Sequence, residues 1–308
     1  MIRLLALACL ALLAAGCAGA SDQAASPAPA ETTLTSIRRD TWETVLATLR
    51  PGIDSTSSNP CQSGHRRCLD LLLEEMDRRI TPLASTCDHD ALFAVTYRDT
   101  TRALARAVDA GRFEHPESVT HLSAWFARAY FTAFDRWQAG DVDAVPEAWR
   151  LAFEAADGKT VRSIGDVLLG MNAHISRDLP FIVADVVRDA DAELADYTLF
   201  SRVIEDESDR AIGELADRFD PDLVANQVPL VLGGRPTLGA VIAVWRTDSW
   251  LRGVELIRAS APERSAVAER IEAEATRRAE LLLPSLLYPP LVDGPGRRDR
   301  FCAAQRGH

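Results

Sequence analysis

Apolar residues recur with a helical period along nearly the whole chain, and no window alternates convincingly enough for a strand. A face that returns every 3.6 residues is buried only by a helix, so the pattern restricts the chain to an all-α fold. Helices are expected at about residues 36–50, 66–81, 88–110, 118–139, 146–156, 161–188, 197–218, 237–259 and 261–283. Ser163-x-x-Asp166 and Ser260-Ala-Pro-Glu263 have the form of capping boxes, and Gly111, Gly140 and Gly158 stand at expected helix ends. Glu274 and Arg278 have the favourable i,i+4 order on the most charged helix. Residues 228–232 are the only strand candidate, and Pro229 weakens it. Residues 36–308 are long enough for a single multi-helix globular domain of about nine helices with a substantial core.

The first 35 residues do not belong to that domain. Arg3 precedes an uncharged apolar run that is too short for a permanent membrane span, so residues 1–16 read as an export signal. The run ends in Leu13-Ala-Ala-Gly-Cys17, which resembles the bacterial lipobox, whose cysteine is lipidated and becomes the mature N-terminus. The competing reading is a plain secretory signal cut near Ala20. Residues 17–35 are small, polar or acidic apart from Leu34, and they read as a disordered tether. Together these features point to an exported protein anchored to the bacterial cell envelope by an N-terminal lipid.

Cys61, Cys68, Cys87 and Cys302 remain in the body. An even set in an oxidising compartment suggests two disulfides, with three possible pairings. Cys61–Cys68 and Cys87–Cys302 are the favoured pair; the alternative is a thiolate metal site, for which the spacing fits no zinc pattern. The formal net charge is −11 and no basic stripe is present, which argues against nucleic acid as a partner. Lys159 is the only lysine, so most lysine chemistry is excluded.

The candidate chemistry lies in the helix expected at 161–188. Its apolar stripe is Ile164, Val167, Leu168, Met171, Ile175, Leu179, Ile182 and Val186. Asp178 falls inside the stripe, His174 on one edge and Asn172 on the other. A carboxylate facing a core needs a partner, and His174 is four residues away on the same face. Pro180 cannot donate to the Ser176 carbonyl, so a bend is expected just after Asp178. Glu207 projects toward the stripe of the helix expected at 197–218 and is a second candidate buried acid. The competing reading of all four residues is a satisfied polar core, with Glu207 paired to an arginine. His121 lies off the aromatic stripe of its helix and reads as a surface residue; His89 reads as a capping or packing residue. No nucleophile elbow, phosphate loop, His-Glu-x-x-His or dinucleotide fingerprint occurs.

The segment Leu168-Leu-Gly-Met-Asn-Ala-His-Ile-Ser-Arg-Asp-Leu-Pro180 resembles the hallmark of the bacterial family known as domain of unknown function 5995, with Ser176 where the family pattern carries Asn. Cys87-Asp-x-x-Ala-Leu-Phe-Ala-Val-Thr-Tyr97, Pro146-Glu-Ala-Trp149 and Trp245-Arg-Thr-Asp-Ser-Trp250 are similar in the same order. The resemblance implies a helical domain and no particular activity. His174, Asp178 and Pro180 are also similar to part of the His-x-x-x-Asp ligand helix of the zinc-dependent phospholipase C and P1 nuclease group. That group's second His is replaced here, since Phe181-Ile-Val-Ala follows. Its N-terminal Trp ligand is incompatible with a lipidated Cys17.

Two functions fit. One is a non-enzymatic binding or scaffold module of the envelope with a polar His/Asp core site, its small-molecule or protein partner unspecified. The other is a metal-dependent hydrolase acting on a phosphoester or envelope component. It would hold a divalent ion such as zinc on His174 and Asp178, with Glu207 as a third ligand or general base and Asn172 orienting substrate.

Overall fold

Thr41 and Thr44 cap each other at the start of α1 (Trp42–Thr48), the first element of a computed structural model that describes residues 41–223, 237–291 and 293–305. The expected signal, tether, lipidation site Cys17 and strand candidate 228–232 lie outside the described residues. Then come α2 (Arg67–Thr86), α3 (Asp90–Asp109), α4 (Pro116–Gln138), a 3-10 turn (Val142–Ala144) and α5 (Glu147–Asp157). One continuous helix follows in three parts: α6 (Ser163–Met171), a π-helical stretch (Asn172–Asp178) and α7 (Leu179–Val186). The remaining helices are α8 (Ala190–Arg218), α9 (Leu238–Arg258), α10 (Ala261–Leu286) and α11 (Gly294–Gln305). Among the described residues there is no strand, only an isolated bridge between Val161 and Leu287. The protein is all-α, a single globular arrangement of helices.

The packing follows the apolar stripes. α3 lies between α2 and α8, α7 lies on α9, and the π-helical stretch is wrapped by α5, α9 and α10. Its stripe residues from Val167 to Val186 are buried, as are Phe126, Tyr130, Phe131 and Phe134 on α4. Two glycines set the closest approaches. A Cβ on Gly170 would lie 2.5 Å from the Phe93 ring, and one on Gly253 would lie 2.4 Å from Val183. Hydrogen there is what lets α3 meet α6 and α9 meet α7.

The two disulfides are Cys61–Cys68, closing a loop before α2, and Cys87–Cys302, joining the end of α2 to α11. Both agree with the favoured pairing and belong to an oxidising environment. No helix among the described residues is long and apolar enough to cross a membrane.

Several expectations need correction. α11 was not anticipated, because Gly294-Pro-Gly296 reads as a helix breaker. α8 begins at Ala190, capped by the Asp189 carboxylate, a full two turns before the expected start. The Ser260–Glu263 capping box is present, but Ser163 donates to Asp220 and Asp166 turns to His89. Glu274 and Arg278 do not pair: Glu274 meets Arg252 and Arg278 meets Asp248, both on α9. His121 is fully buried, donating from Nδ1 to the Cys61 carbonyl at 2.8 Å, because the disulfide loop folds over it.

Candidate functional site

Pro180 shapes the helix around the candidate residues. An ordinary α-helix would have residue 180 donate to Ser176, and proline has no N–H to give. The chain instead widens by one residue per turn, so that the Leu179 N–H bonds the His174 carbonyl five residues back. In that register Pro180 would serve the Ile175 carbonyl. The Ser249 hydroxyl of α9 stands there instead, 2.6 Å from the Ile175 oxygen and 2.8 Å from the Trp245 carbonyl of its own helix. Arg278 reaches the Ser176 hydroxyl from α10. The expected bend is therefore a π-helical turn, braced from two sides.

This turn carries His174 and Asp178 into the core, 2 % and 1 % exposed. His174 Nδ1 lies 3.2 Å from Asp178 Oδ2. Trp149 Nε1 donates to the same oxygen at 2.8 Å, and Arg177 Nη1 donates to Oδ1 at 2.9 Å. Arg177 in turn bonds Glu272 on α10. Both oxygens thus accept from N–H donors, which places the shared proton on His174 Nδ1 and leaves a lone pair on Nε2. Burial holds the imidazole below its ordinary pKa; the contact with Asp178 acts the other way and Arg246 reinforces the lowering. His174 is neutral at physiological pH, stacked on Phe126 with ring centroids 3.4 Å apart and edge-on to Tyr97.

His174 Nε2 is buried with no hydrogen-bond partner, and the residue lines a small cavity of about 40 Å³. Phe93, Thr96, Tyr97 and Thr100 of α3 line one wall. Phe200 and Ile204 of α8 with Ile242 and Arg246 of α9 line the opposite one. Arg246 is 1 % exposed and forms no ion pair with a carboxylate among the described residues. Its Nε donates to Ser201 at 2.8 Å, and its guanidinium lies 4.5 Å from the Tyr197 ring centre and 4.7 Å from that of Phe200. Its Nη2 is buried without any hydrogen-bond partner. Burial pulls the guanidinium below its usual pKa.

The other two candidates are engaged elsewhere. Asn172 donates to the Ala275 carbonyl of α10 at 2.8 Å, while its Oδ1 is buried and unpartnered. Glu207 is held by Arg106 at 2.9 Å and by Arg210. The structure joins His174 to Asp178 and does not bring Glu207 to them. Among the described residues no group of three or more His, Cys, Asp or Glu side chains is placed to hold a metal ion.

A family model described as a family of unknown function, DUF5995, matches residues 69–285. The chain belongs to this family. The DUF5995 match contains every residue of the His174 cavity, whereas α1, Cys61, Cys68 and α11 fall outside it. No curated protein and no solved structure matches the chain.

Sequence reasoning passed over three contributors. Trp149 and Arg177 complete the carboxylate's partners, yet each sits on a helix where it reads as ordinary core or surface. Arg246 had a legible signal. Ile242, Arg246, Ser249, Gly253 and Leu256 recur at helical spacing, and all are buried. A cation inside that stripe is as informative as Asp178 inside its own.

Proposed function

We propose that this protein is an exported, lipid-anchored binding module of the bacterial envelope, with the cavity between His174 and Arg246 as its ligand site. The observation that carries the reading is the cavity's polar pair. Two side chains buried among aromatic rings each keep hydrogen-bonding capacity that no protein group uses. Buried polar groups are ordinarily satisfied, and an unused one facing a cavity is the mark of a ligand or a held water. The π-helical turn and its braces supply the rigidity that a preorganised site needs. The two disulfides agree with export, and Leu13-Ala-Ala-Gly-Cys17 supplies the anchor.

The metal-dependent hydrolase draws no support from this geometry. The Asp178 oxygens already accept three N–H donors, and Glu207 is held by two arginines. The test is to isolate the full mature chain from membranes without denaturant, unfold it, and analyse the released small molecules by mass spectrometry. A defined compound is expected from the wild type and not from His174→Ala. Metal-dependent turnover of a phosphoester that requires His174 would overthrow the binding-module reading. Fatty-acid labelling that persists in Cys17→Ser would remove the anchor.

A further inference from the structure

The cavity's two unused groups have opposite hydrogen-bonding character, and that narrows the ligand. Arg246 is a permanent donor and a cation. Its compensation is two aromatic faces and one serine oxygen, with no carboxylate paired to it among the described residues. A desolvated guanidinium with an unpartnered terminal nitrogen is completed by an anion, and its planar fork fits a carboxylate. His174 is an acceptor, because its Nδ1 proton is committed to Asp178 and Nε2 holds a lone pair. A bare carboxylate satisfies the arginine and offers nothing to the imidazole. A carboxylate together with one proton satisfies both.

We propose that the cavity binds the acid group of a small organic acid, one oxygen accepting from Arg246 and the other sharing a proton with His174 Nε2. This deepens the binding-module reading and rests on it. A carboxylate from neutral solution brings no proton of its own, so one is taken up from solvent as it binds. That proton lies on the His174 Nε2 side or on the acid, with the same overall count. Asp178 stabilises the imidazolium form from the far side of the ring. The walls suit such a ligand: Phe93, Phe126 and Phe200 are apolar. Thr96 and Thr100 hydroxyls already donate to Leu92 and Tyr97 carbonyls, so they have only lone pairs to offer. The volume admits a group the size of a carboxylate, or a few waters in its place.

The other charged or titratable groups around His174 do not supply the proton. Arg177 is bound to Asp178 and Glu272. Tyr97 on α3 and Tyr130 on α4 are pushed up, far from neutrality, by burial. Arg246 on α9 lowers the proton affinity of His174 until its charge is neutralised by the ligand. Anion binding and protonation of His174 are therefore coupled in the favourable sense.

The probe is sodium acetate, titrated into the full mature chain. Ring 15N shifts of the histidines are followed by NMR, and heats are measured in two buffers of different ionisation enthalpy. Saturable binding in the millimolar range is expected, within what four heavy atoms can reach. His174 Nε2 should move from an unprotonated toward a protonated shift, with about one proton taken up. Affinity should fall about tenfold per pH unit above neutrality. Arg246→Met keeps the stem against Tyr197 and removes the charge; it should abolish the response. If that variant fails to fold, the wild-type shift and proton count decide alone. Acetate binding that leaves the His174 ring unmoved, or takes up no proton, overturns the proposal. A neutral small molecule that shifts His174 where acetate does not would also overturn it, while leaving the binding module standing.

Discussion

At the scale of single residues, burial sets the charge of several carboxylates, and Asp90 shows the consequence most simply. It begins α3, is nearly buried, and has one oxygen without a partner. Burial, with Asp88 and Asp157 nearby, pushes its pKa up to about 8. The folded chain thus keeps a proton that the unfolded chain releases above about pH 4. Stability from this group is complete below pH 4 and is lost as pH rises toward 8. Asp90→Asn, which mimics the protonated acid, should leave stability unchanged near pH 4 and raise it by about 2–4 kcal/mol at pH 8. Denaturant unfolding across that range checks this, and an equal effect at both ends would contradict it. His89 works in the opposite direction. Burial, then Arg298, lowers its pKa to about 4, so its contribution is lost as pH falls from 6.5 toward 4. At this scale the sequence was partly legible. Asp178 inside an apolar stripe announced a buried polar site, because helical period alone fixes which side chains face inward. His121 was misread, since a wheel drawn on one helix cannot show a disulfide loop closing over its outer face.

At the scale of elements, the long helix through α6 and α7 was legible in its extent, and Pro180 correctly marked an irregularity. Which irregularity could not be read locally, because the choice between a kink and a π turn depends on who satisfies the stranded carbonyls. Here Ser249 answers for Ile175. Ser249→Ala should therefore destabilise by about 1–3 kcal/mol, the cost of an unpartnered buried carbonyl. Pro180→Ala restores an N–H at the position that could serve Ile175. The double variant should be less damaged than the sum of the two single changes predicts. Simple additivity in thermal or denaturant unfolding would show that the serine does not stand in for the proline. α11 was illegible for a related reason. Gly294-Pro-Gly296 has no helical propensity to speak of. The helix is held from outside: buried Arg298 donates to the carbonyls of Cys87 and Asp88, and Cys302 is bonded to Cys87.

At the scale of the whole molecule, that C-terminal attachment closes the chain on itself. Cys87 ends α2 in the left-handed region at φ 59°, a conformation more natural to glycine. The Asp88 N–H returns to the Leu83 carbonyl, completing the helix end. Arg298 covers the same corner, so the bridge, the helix terminus and the tail are one unit. The two bridges should contribute unequally. In the chain-entropy account, a loop spanning 215 positions constrains the unfolded chain by about 5 kcal/mol, and one spanning 7 by about 2.5 kcal/mol. Cys87→Ser with Cys302→Ser should lower the unfolding temperature further than Cys61→Ser with Cys68→Ser. The first pair should also expose α11 to limited proteolysis, because a helix of poor propensity then depends on Arg298 and the ion pairs of Arg297 and Asp299. The His174 cavity is built from α3, α4, α6, α8, α9 and the π-helical stretch, none of which the tail supplies. Its occupancy should survive in the variant lacking the long bridge at temperatures below unfolding. Loss of ligand binding in a chain still folded by circular dichroism would mean that the tail and the cavity are coupled through α3, which carries both Asp90 at the tail end and Tyr97 at the site.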